Sequence, residues 1–347
     1  MLDEWMGGQL MLSSPFTIND IKTKQLEKIN EVLSYVKEKS PFYKERLPFF
    51  RAESFKEFEN LPFTTPNDIK QYGYKMVCVK MDDIDRVVTV METSGSTGAS
   101  KKLYFTAKDQ EFIIDYFMHG MMEFADKGDN VLILFPGRAE GSLNDLLSKS
   151  LRRMGANPFV FGFPSEDQYE EVLKQILQDD ISYLVGPASL LAKLARLSLK
   201  LKISGKISDN LMAVLCAAAF VSDENKNAIE TIWSCRVDEH YGMTETSLAG
   251  AIGLRGMEGY HPWESGLYYE IINPVTGEVL PDGEEGELVV TTLNREGMPL
   301  IRYKTGDMSA FIPGGSPDGS VLRRLKRVSD RKTEKKFLRK EWKDDKR

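Results

Sequence analysis

Cysteine and long apolar runs are scarce in this 347-residue sequence, and its 46 basic residues are outnumbered by 52 acidic ones. The three cysteines, Cys78, Cys216 and Cys235, are too few and too scattered for a disulfide framework, so we expect a reducing cytoplasm. No apolar run reaches the roughly 18 residues that a membrane-spanning helix needs. The first residues carry acids and no basic segment followed by an apolar run, so a secretory signal is not expected.

The net charge of −6 argues against a general nucleic-acid-binding protein, which would normally be basic. A content of 41% hydrophobic and 28% charged residues is typical of a soluble globular protein. The exception is the basic stretch 323–347, which we interpret as a solvated or disordered tail rather than a nucleic-acid site. We therefore expect no nucleic-acid partner and no membrane partner.

The order of segment types predicts an α/β fold. Apolar residues at three- and four-residue steps predict a helical cover within 15–60, and short apolar strands alternate with helical segments from 86 to 262, as in a mainly parallel, helix-covered sheet. Beyond 263, short strands broken by Gly, Pro, Asp and Asn predict a small antiparallel β subdomain, barrel-like in shape. The predicted parts are 1–85 (helical cover and connecting segment), 86–262 (α/β core), 263–326 (β subdomain) and 327–347 (tail).

A loop rich in Gly, Ser and Thr at 93–102 is the strongest local signal. Its glycines allow sharp turns close to an anion, while hydroxyls and backbone N–H groups can donate to phosphate oxygens and Lys101 or Lys102 adds charge. The GxxxxGK[ST] pattern is absent, so an ordinary P-loop NTPase is not expected. The residues expected to surround phosphate are Thr93, Ser94, Gly95, Ser96, Thr97 and Gly98.

A second motif, residues 241–246, follows a β-type segment. Tyr241 is suited to stacking on a base, Thr244 to bonding a phosphate oxygen, and Glu245 to holding Mg²⁺, which prefers carboxylate and phosphate oxygens.

The third motif, residues 301–307, places Gly306 in a turn before Asp307. A carboxylate there can accept hydrogen bonds from two ribose hydroxyls. Each of these two motifs alone would be an ordinary surface turn. The three in this order predict a nucleotide site.

These motifs, with segments such as 40–43, 61–65, 259–264 and 270–283, make the sequence similar to the adenylate-forming enzymes, which include acyl-CoA synthetases, firefly luciferase and peptide-synthetase adenylation domains. Within that family the sequence most resembles phenylacetate-CoA ligase-like proteins, over roughly residues 25 to 331. The resemblance implies the α/β fold of their N-terminal domain and an AMP-forming ligase that turns a carboxylic acid into an acyl-adenylate and releases pyrophosphate. Alignment and charge stabilisation would carry such chemistry, because the carboxylate is already the nucleophile.

The resemblance also assigns roles to single residues. Lys101 would belong to the loop around the ATP phosphates, Thr244 would bind the α-phosphate, and Glu245 would bind Mg²⁺, with Thr97 reaching the ion through ATP. The remaining implied nucleotide contacts are Ala217, Ala218 and Ala219 on one face of adenine, Tyr241 with Gly242 and Met243 on the other, and Asp307 and Arg331 at the ribose.

His240 precedes Tyr241, and two interpretations stay open. It borders the acyl pocket and belongs with the catalytic residues, or it is a structural histidine satisfied by hydrogen bonds. Some relatives are expected to bind zinc through a Cys/His set; Cys235 and His240 are present, but Leu254 and the segment 316–318 replace the thiolates such a site needs. Zinc is therefore not expected.

Two departures from the family pattern affect the predicted activity. Asp330 replaces a hinge glycine, and only residues 332–347 follow the hinge, too few to build the usual C-terminal domain. CoA transfer therefore stays open. The alternatives are acyl transfer to a protein, as in an acyl-protein synthetase, a non-catalytic AMP- or ATP-binding accessory protein, and a truncated or frame-shifted product. Relatives are often dimers, so a homodimer is an option.

Overall fold

The computed structural model describes residues 2–90, 100–137, 139–253 and 258–328. The chain divides into two compact units. The first contains Met1–Gln110, Thr244–Gly250 and His261–Arg347, and the second contains Glu111–Met243 and Ala251–Tyr260. The two units alternate along the chain, whereas the four parts predicted from the sequence are consecutive, and that four-part division stays a prediction.

The N-terminal part of the first unit is helical, as its apolar periodicity predicts. The longest helix begins at a capping box in which Thr17 accepts from the Asp20 backbone and Asp20 accepts in return, and it buries Ile29, Leu33 and Val36. Ser40 then caps the next helix, which has Pro at its first position. The helices are α1 (Leu2–Gln9), α2 (Ile18–Lys39), α3 (Pro41–Arg46), α4 (Phe55–Phe58) and α5 (Pro66–Tyr72).

The first unit also contains a β-hairpin of β1 (Arg86–Val90) and β2 (Lys101–Phe105). The two strands are antiparallel, with Val90 opposite Lys101, so the Gly/Ser/Thr loop is the connection of this hairpin. The apolar run ending at this loop is a strand, as predicted, but its antiparallel partner was not foreseen. Residues 91–99 of the connection lie outside the described part of the chain.

A small antiparallel sheet completes the first unit. It consists of β10 (Leu267–Ile272), β11 (Gly286–Thr292) and β12 (Tyr303–Ser309), in that order. All residues of β10 and β11 are buried, so both faces of these strands are covered. The predicted subdomain exists, but its described strands form an open three-stranded sheet rather than a barrel.

The second unit is built around a seven-stranded sheet. Its strands are β3 (Asn130–Ile133), β4 (Asn157–Val160), β5 (Tyr183–Gly186), β6 (Ala213–Cys216), β7 (Arg236–Gly242), β8 (Gly250–Gly253) and β9 (Tyr260–Pro262). Their order is β4-β3-β5-β6-β7-β8-β9, and β3 to β7 are parallel. The predicted alternation of strand and helix is confirmed here. The helices are α6 (Ala107–Met122, which begins in the first unit), α7 (Leu143–Met154), α8 (Tyr169–Gln178), α9 (Ala188–Lys200), α10 (Ser204–Ser208) and α11 (Asp223–Trp233).

Helices cover the central strands, and this explains their sequences. Every residue of β5 and β6 is buried, so these strands are apolar runs instead of alternating patterns. Trp233 packs in the same core and satisfies its indole N–H on Ser198 Oγ at 2.9 Å. None of the helices in the described part is both long and apolar enough to cross a membrane.

Candidate active site

The carboxyl ends of β6 and β7 bring two of the predicted nucleotide segments to one edge of the second unit. The strands are parallel neighbours with Cys216 opposite Glu239, so the segment 217–219 leaves the sheet beside the end of β7, whose last residues are Tyr241 and Gly242. Ligands of open α/β sheets bind at this edge, where loops and strand ends expose backbone groups. The structure therefore brings together residues that are 22 or more positions apart in the sequence.

The loop after β6 holds an unusual backbone conformation. Ala217 is buried and donates its N–H to the Gly186 carbonyl at 3.1 Å, whereas Ala218 and Ala219 are exposed. Ala218 has a φ of +63°, a left-handed conformation that costs a residue with a Cβ roughly 1 to 2 kcal/mol. Strain of this kind is concentrated at functional sites, and here it presents an exposed loop of small side chains.

His240 lies in an aromatic environment supplied by α6. Its Nε2 is 3.3 Å from the Tyr116 hydroxyl, and its ring centroid is 5.7 Å from that of Phe117. Burial lowers the pKa of His240 from 6.5 to about 4, so the ring is neutral at pH 7. Tyr116 and Phe117 were not foreseen, because their distance along the chain from His240 leaves no local signal.

A buried ion pair is the central feature of the first unit. Lys101, at the start of β2, contacts the carboxylate of Glu245, which is 2% exposed and lies in a short 3₁₀ turn at Thr244–Thr246. Tyr303 on β12 donates to the same carboxylate oxygen at 3.1 Å. The structure thus joins two predicted catalytic residues and adds a tyrosine from the third motif.

Arg295 contacts the backbone of the same turn. Its Nη1 donates to the Glu245 carbonyl at 2.9 Å, and its guanidinium lies 4.3 Å from the centre of the Phe105 ring. Burial lowers the pKa of Arg295 to about 10, while the nearby carboxylates of Asp109 and Glu245 act in the opposite direction. Sequence reasoning missed this residue.

The loop that carries Arg295 is fixed by Asp109, the third residue of α6. Its carboxylate accepts from the backbone N–H groups of Glu296 at 2.6 Å, Gly297 at 2.9 Å and Thr106 at 3.0 Å. A Cβ at Gly297 would lie 2.8 Å from the Tyr104 carbonyl and 2.9 Å from Asp109, so the close approach requires glycine.

Asp307 and Thr244 also belong to the first unit. Asp307 is partly buried on β12, four residues after Tyr303, and its N–H donates to Thr305 Oγ1 at 3.0 Å. Gly306, with a φ of +76°, lies inside β12 where the register with β11 shifts, so the predicted turn is a bulge within a strand. Thr244 is partly buried and opens the turn that contains Glu245.

A family model described as AMP-binding enzyme matches residues 16–294. The chain belongs to this family. It is 26% identical to a phenylacetate-coenzyme A ligase of Pseudomonas putida over 93% of this chain and 73% of the relative, and 25% identical to one of Escherichia coli over 93% and 74%. The predicted resemblance to adenylate-forming, phenylacetate-CoA ligase-like proteins is confirmed.

Solved structures agree on the fold of this AMP-binding enzyme. An open conformation of 2-hydroxyisobutyryl-CoA ligase, in complex with 2-HIB-AMP and CoA, superposes with a TM-score of 0.81 over 90% of this chain and 75% of the other, at 20% identity. The predicted α/β class is therefore confirmed by topology and by structural likeness.

Several predicted site residues of this AMP-binding enzyme fall outside the described part of the chain. They are Thr93, Ser94, Gly95, Ser96, Thr97, Gly98 and Arg331. Their roles stay predictions, because nothing in the structure bears on them.

The segment 316–318, which a zinc site would need to supply thiolates, contacts His261 through Ser316. His261 Nδ1 is 3.1 Å from the Arg323 carbonyl, and its Nε2 is 3.4 Å from Ser316 Oγ. Cys235 is buried, and burial raises the pKa of its thiol to about 12. Within the described ranges, no three His, Cys, Asp or Glu side chains are arranged to hold a metal ion.

Proposed function

We propose that this AMP-binding enzyme uses ATP to activate a carboxylic acid as an acyl-adenylate. A carboxylate oxygen of the acid attacks the α-phosphorus of ATP, the bond from that phosphorus to the bridging oxygen breaks, and pyrophosphate leaves. The observation that carries the proposal is the buried Lys101–Glu245 pair, since it joins a cation at the start of β2 to a carboxylate of the Thr244–Thr246 turn within the first unit.

Alignment and charge stabilisation are what this chemistry requires of the protein. The acid arrives ionised and needs no general base, so catalysis depends on holding the nucleophile in line and neutralising the charge of the departing pyrophosphate. Lys101 supplies a cation that is largely removed from water, where it acts more strongly than at the surface. Thr244, next to Glu245, is proposed to bind the α-phosphate.

Glu245 is the proposed protein ligand for Mg²⁺, with Thr97 reaching the ion through ATP. A single buried carboxylate suits this ion, which retains several waters and is bound through one or two carboxylates together with substrate phosphates. When bound, Mg²⁺ would neutralise part of the triphosphate charge. Lys101 neutralises Glu245 in the present structure. If Mg²⁺ replaced Lys101 as the partner of Glu245, the charge of Lys101 would be available to the phosphates.

The nucleoside contacts are proposed residue by residue. In the second unit, adenine is assigned to Ala217–Ala219 and to Tyr241 with Gly242 and Met243; the exposed left-handed loop at Ala218 supports this assignment. In the first unit, the ribose is assigned to Asp307, and Arg331 is its predicted second contact. The phosphate contacts of the 93–98 loop rest on the sequence pattern alone.

We infer that the acid is a small aryl or acyl carboxylate. The two relatives are named for phenylacetate, and His240 presents a neutral ring beside Tyr116 and Phe117, an environment suited to an uncharged group of the substrate. His240 is accordingly proposed to border the acyl group. CoA is the acceptor that the relatives' names favour; a protein acceptor, a homodimer and a cytoplasmic location stay predictions.

The proposal is tested by ATP/pyrophosphate exchange with Mg²⁺ over a panel of aryl and aliphatic carboxylic acids. Glu245→Ala and Asp307→Ala are the test variants, and Asp282→Ala, on an exposed turn, is the matched control. Acid-dependent exchange that both test variants abolish and the control retains would support the proposal. Nucleotide binding without exchange for any acid would reject it in favour of an accessory AMP- or ATP-binding role.

A further inference from the structure

Arg295 is a buried arginine whose hydrogen bonding is incomplete. It is 5% exposed, and its Nε and Nη2 are buried atoms without a hydrogen-bond partner among the residues that the structure describes. Within the described part of the chain, its side chain donates one hydrogen bond, from Nη1 to the carbonyl oxygen of Glu245 at 2.9 Å. The flat face of the guanidinium lies on Phe105.

The fold gains little stability from this arrangement. Removing a guanidinium from water costs free energy unless its donors are satisfied, and here two donor positions are left over. Stacking on an aromatic ring returns only part of that cost. Packing therefore does not explain why a cation stands at this position.

The loop that carries Arg295 is held by contacts of the two residues that follow it. Asp109 holds the N–H groups of Glu296 and Gly297, and the Tyr35 hydroxyl donates to the Glu296 carbonyl at 3.1 Å. These bonds present the guanidinium to the Glu245 backbone from a rigid loop. A rigid support is what a positioning group needs.

The contact of Arg295 with the Glu245 carbonyl affects both Thr244 and Glu245, the two residues proposed to bind phosphate and Mg²⁺. The Glu245 carbonyl belongs to the turn that begins at Thr244, so fixing this carbonyl fixes the backbone from which both side chains extend. The Glu245 carboxylate is meanwhile held by Lys101 and Tyr303. The turn is thus anchored at its side chain by two groups and at its backbone by Arg295.

We propose that Arg295 is a positioning residue that holds the Thr244–Glu245 turn in the conformation that accepts the magnesium–nucleotide complex. The proposal rests on the proposed function, in which Thr244 binds phosphate and Glu245 binds Mg²⁺. It adds a residue that touches neither the acid nor ATP and acts through the backbone of Glu245.

The experiment compares wild type with Arg295→Met, which keeps an apolar chain on Phe105, and Arg295→Lys, which keeps the charge without the planar fork. Arg302→Met is the matched control, since Arg302 is equally buried but has its donors satisfied. Three quantities are measured: the thermal unfolding midpoint, the affinity for ATP by calorimetry with Mg²⁺ and with EDTA, and ATP/pyrophosphate exchange.

For Arg295→Met we expect an unchanged or higher unfolding midpoint and a loss of about tenfold in the affinity gain that Mg²⁺ gives to ATP, as for one lost hydrogen bond to a key group. Arg295→Lys should restore part of that gain. A structural role predicts instead that midpoint and binding fall together, as for Arg302→Met. Loss of folding in Arg295→Met, or Mg²⁺-dependent affinity equal to wild type, would overturn the proposal.

The readouts separate this proposal from the proposed function. Wild type without acid-dependent exchange, but with a magnesium-dependent ATP affinity that Arg295→Met loses, would reject the function and leave the positioning role standing. If wild type catalyses acid-dependent exchange and Arg295→Met catalyses it equally well, the proposed function would be supported and the positioning role would be rejected.

Discussion

Two arginines of the first unit are buried to a similar degree and differ in how their charges are satisfied. Arg302 is 1% exposed and Arg295 is 5% exposed, and each lies on a phenylalanine ring, Phe63 at 4.1 Å and Phe105 at 4.3 Å. Arg302 uses Nε and Nη2 on the Glu270 carboxylate and Nη1 on the carbonyls of Glu59 and Leu61. By contrast, Arg295 donates from Nη1 to the carbonyl oxygen of Glu245, and its Nε and Nη2 have no hydrogen-bond partner among the described residues.

We infer from this difference that the contacts of Arg302 stabilise the fold and that the residues around Glu245 are available for the proposed reaction. Arg302 joins the segment that follows α4 to β10, so its hydrogen bonds are made within the fold. Around Glu245, by contrast, Lys101 and Arg295 are two cations near one carboxylate, and donors are left over. Unsatisfied charge in a buried cluster is a feature of binding and catalytic sites.

Replacing Arg302 should have the largest effect on stability. Arg302→Met leaves the Glu270 carboxylate, 2% exposed, without its cation, and breaking a buried pair in this way costs about 3 to 5 kcal/mol. Denaturant unfolding measures the loss. The double variant Arg302→Met/Glu270→Leu should recover much of it, because no buried charge is left unpaired. A loss below about 1 kcal/mol in the single variant would contradict a structural role.

Replacing Glu245 should instead have its main effect on activity. Glu245→Gln keeps the size of the side chain but removes the charge proposed to meet Mg²⁺, and we expect exchange to fall by about 10² to 10³-fold, or roughly 3 to 4 kcal/mol. Stability should change less than in Arg302→Met, since the amide oxygen can still accept from Lys101. Steady-state exchange per folded molecule is the measurement. Activity near wild type together with a large stability loss would place Glu245 with the structural cluster.

Much of the fold could be predicted from the sequence because burial determines local pattern. Strand β6 is buried on both faces and is therefore a short apolar run, and α2 carries an apolar face that recurs with the helical period. The antiparallel pairing of β1 with β2 could not be predicted, because the two strands are joined by a loop whose composition indicates phosphate binding and not a hairpin.

The candidate site was predictable only where its residues form local motifs. Lys101, Glu245 and Asp307 stand in such motifs. Arg295 meets Glu245 across 50 residues of sequence, and the bond of Tyr116 to His240 spans 124, so neither contact leaves a trace in the spacing of nearby residues. Contacts of this kind depend on how the elements pack, which pattern alone does not specify.

His240 differs from the buried arginines because burial keeps its side chain neutral. Its pKa is about 4 in the fold against 6.5 for an ordinary histidine, so the unfolded chain takes up the proton first as pH falls. The stability contributed by the neutral ring is present above pH 6.5 and is lost as pH falls towards 4, by about 2 kcal/mol between pH 7 and 5. Urea unfolding at both pH values measures it. His240→Gln should remove this part of the pH dependence, and an unchanged dependence would show that other groups cause it.

Tyr303 gives the smallest and sharpest test, because it is the chain neighbour of Arg302 but donates its hydroxyl to Glu245, at 3.1 Å. Tyr303→Phe keeps the ring in β12 and removes only this donor. Since Lys101 still holds the same oxygen, we expect exchange to fall about fivefold, near 1 kcal/mol, with stability changed by less than that. Substitution of Arg302 would then mainly lower the free energy of unfolding, whereas substitution of the adjacent Tyr303 would mainly lower the rate of exchange. If Tyr303→Phe lowered stability and left exchange intact, the two clusters would not differ in function, and the distinction between Arg302 and Arg295 would have to be abandoned.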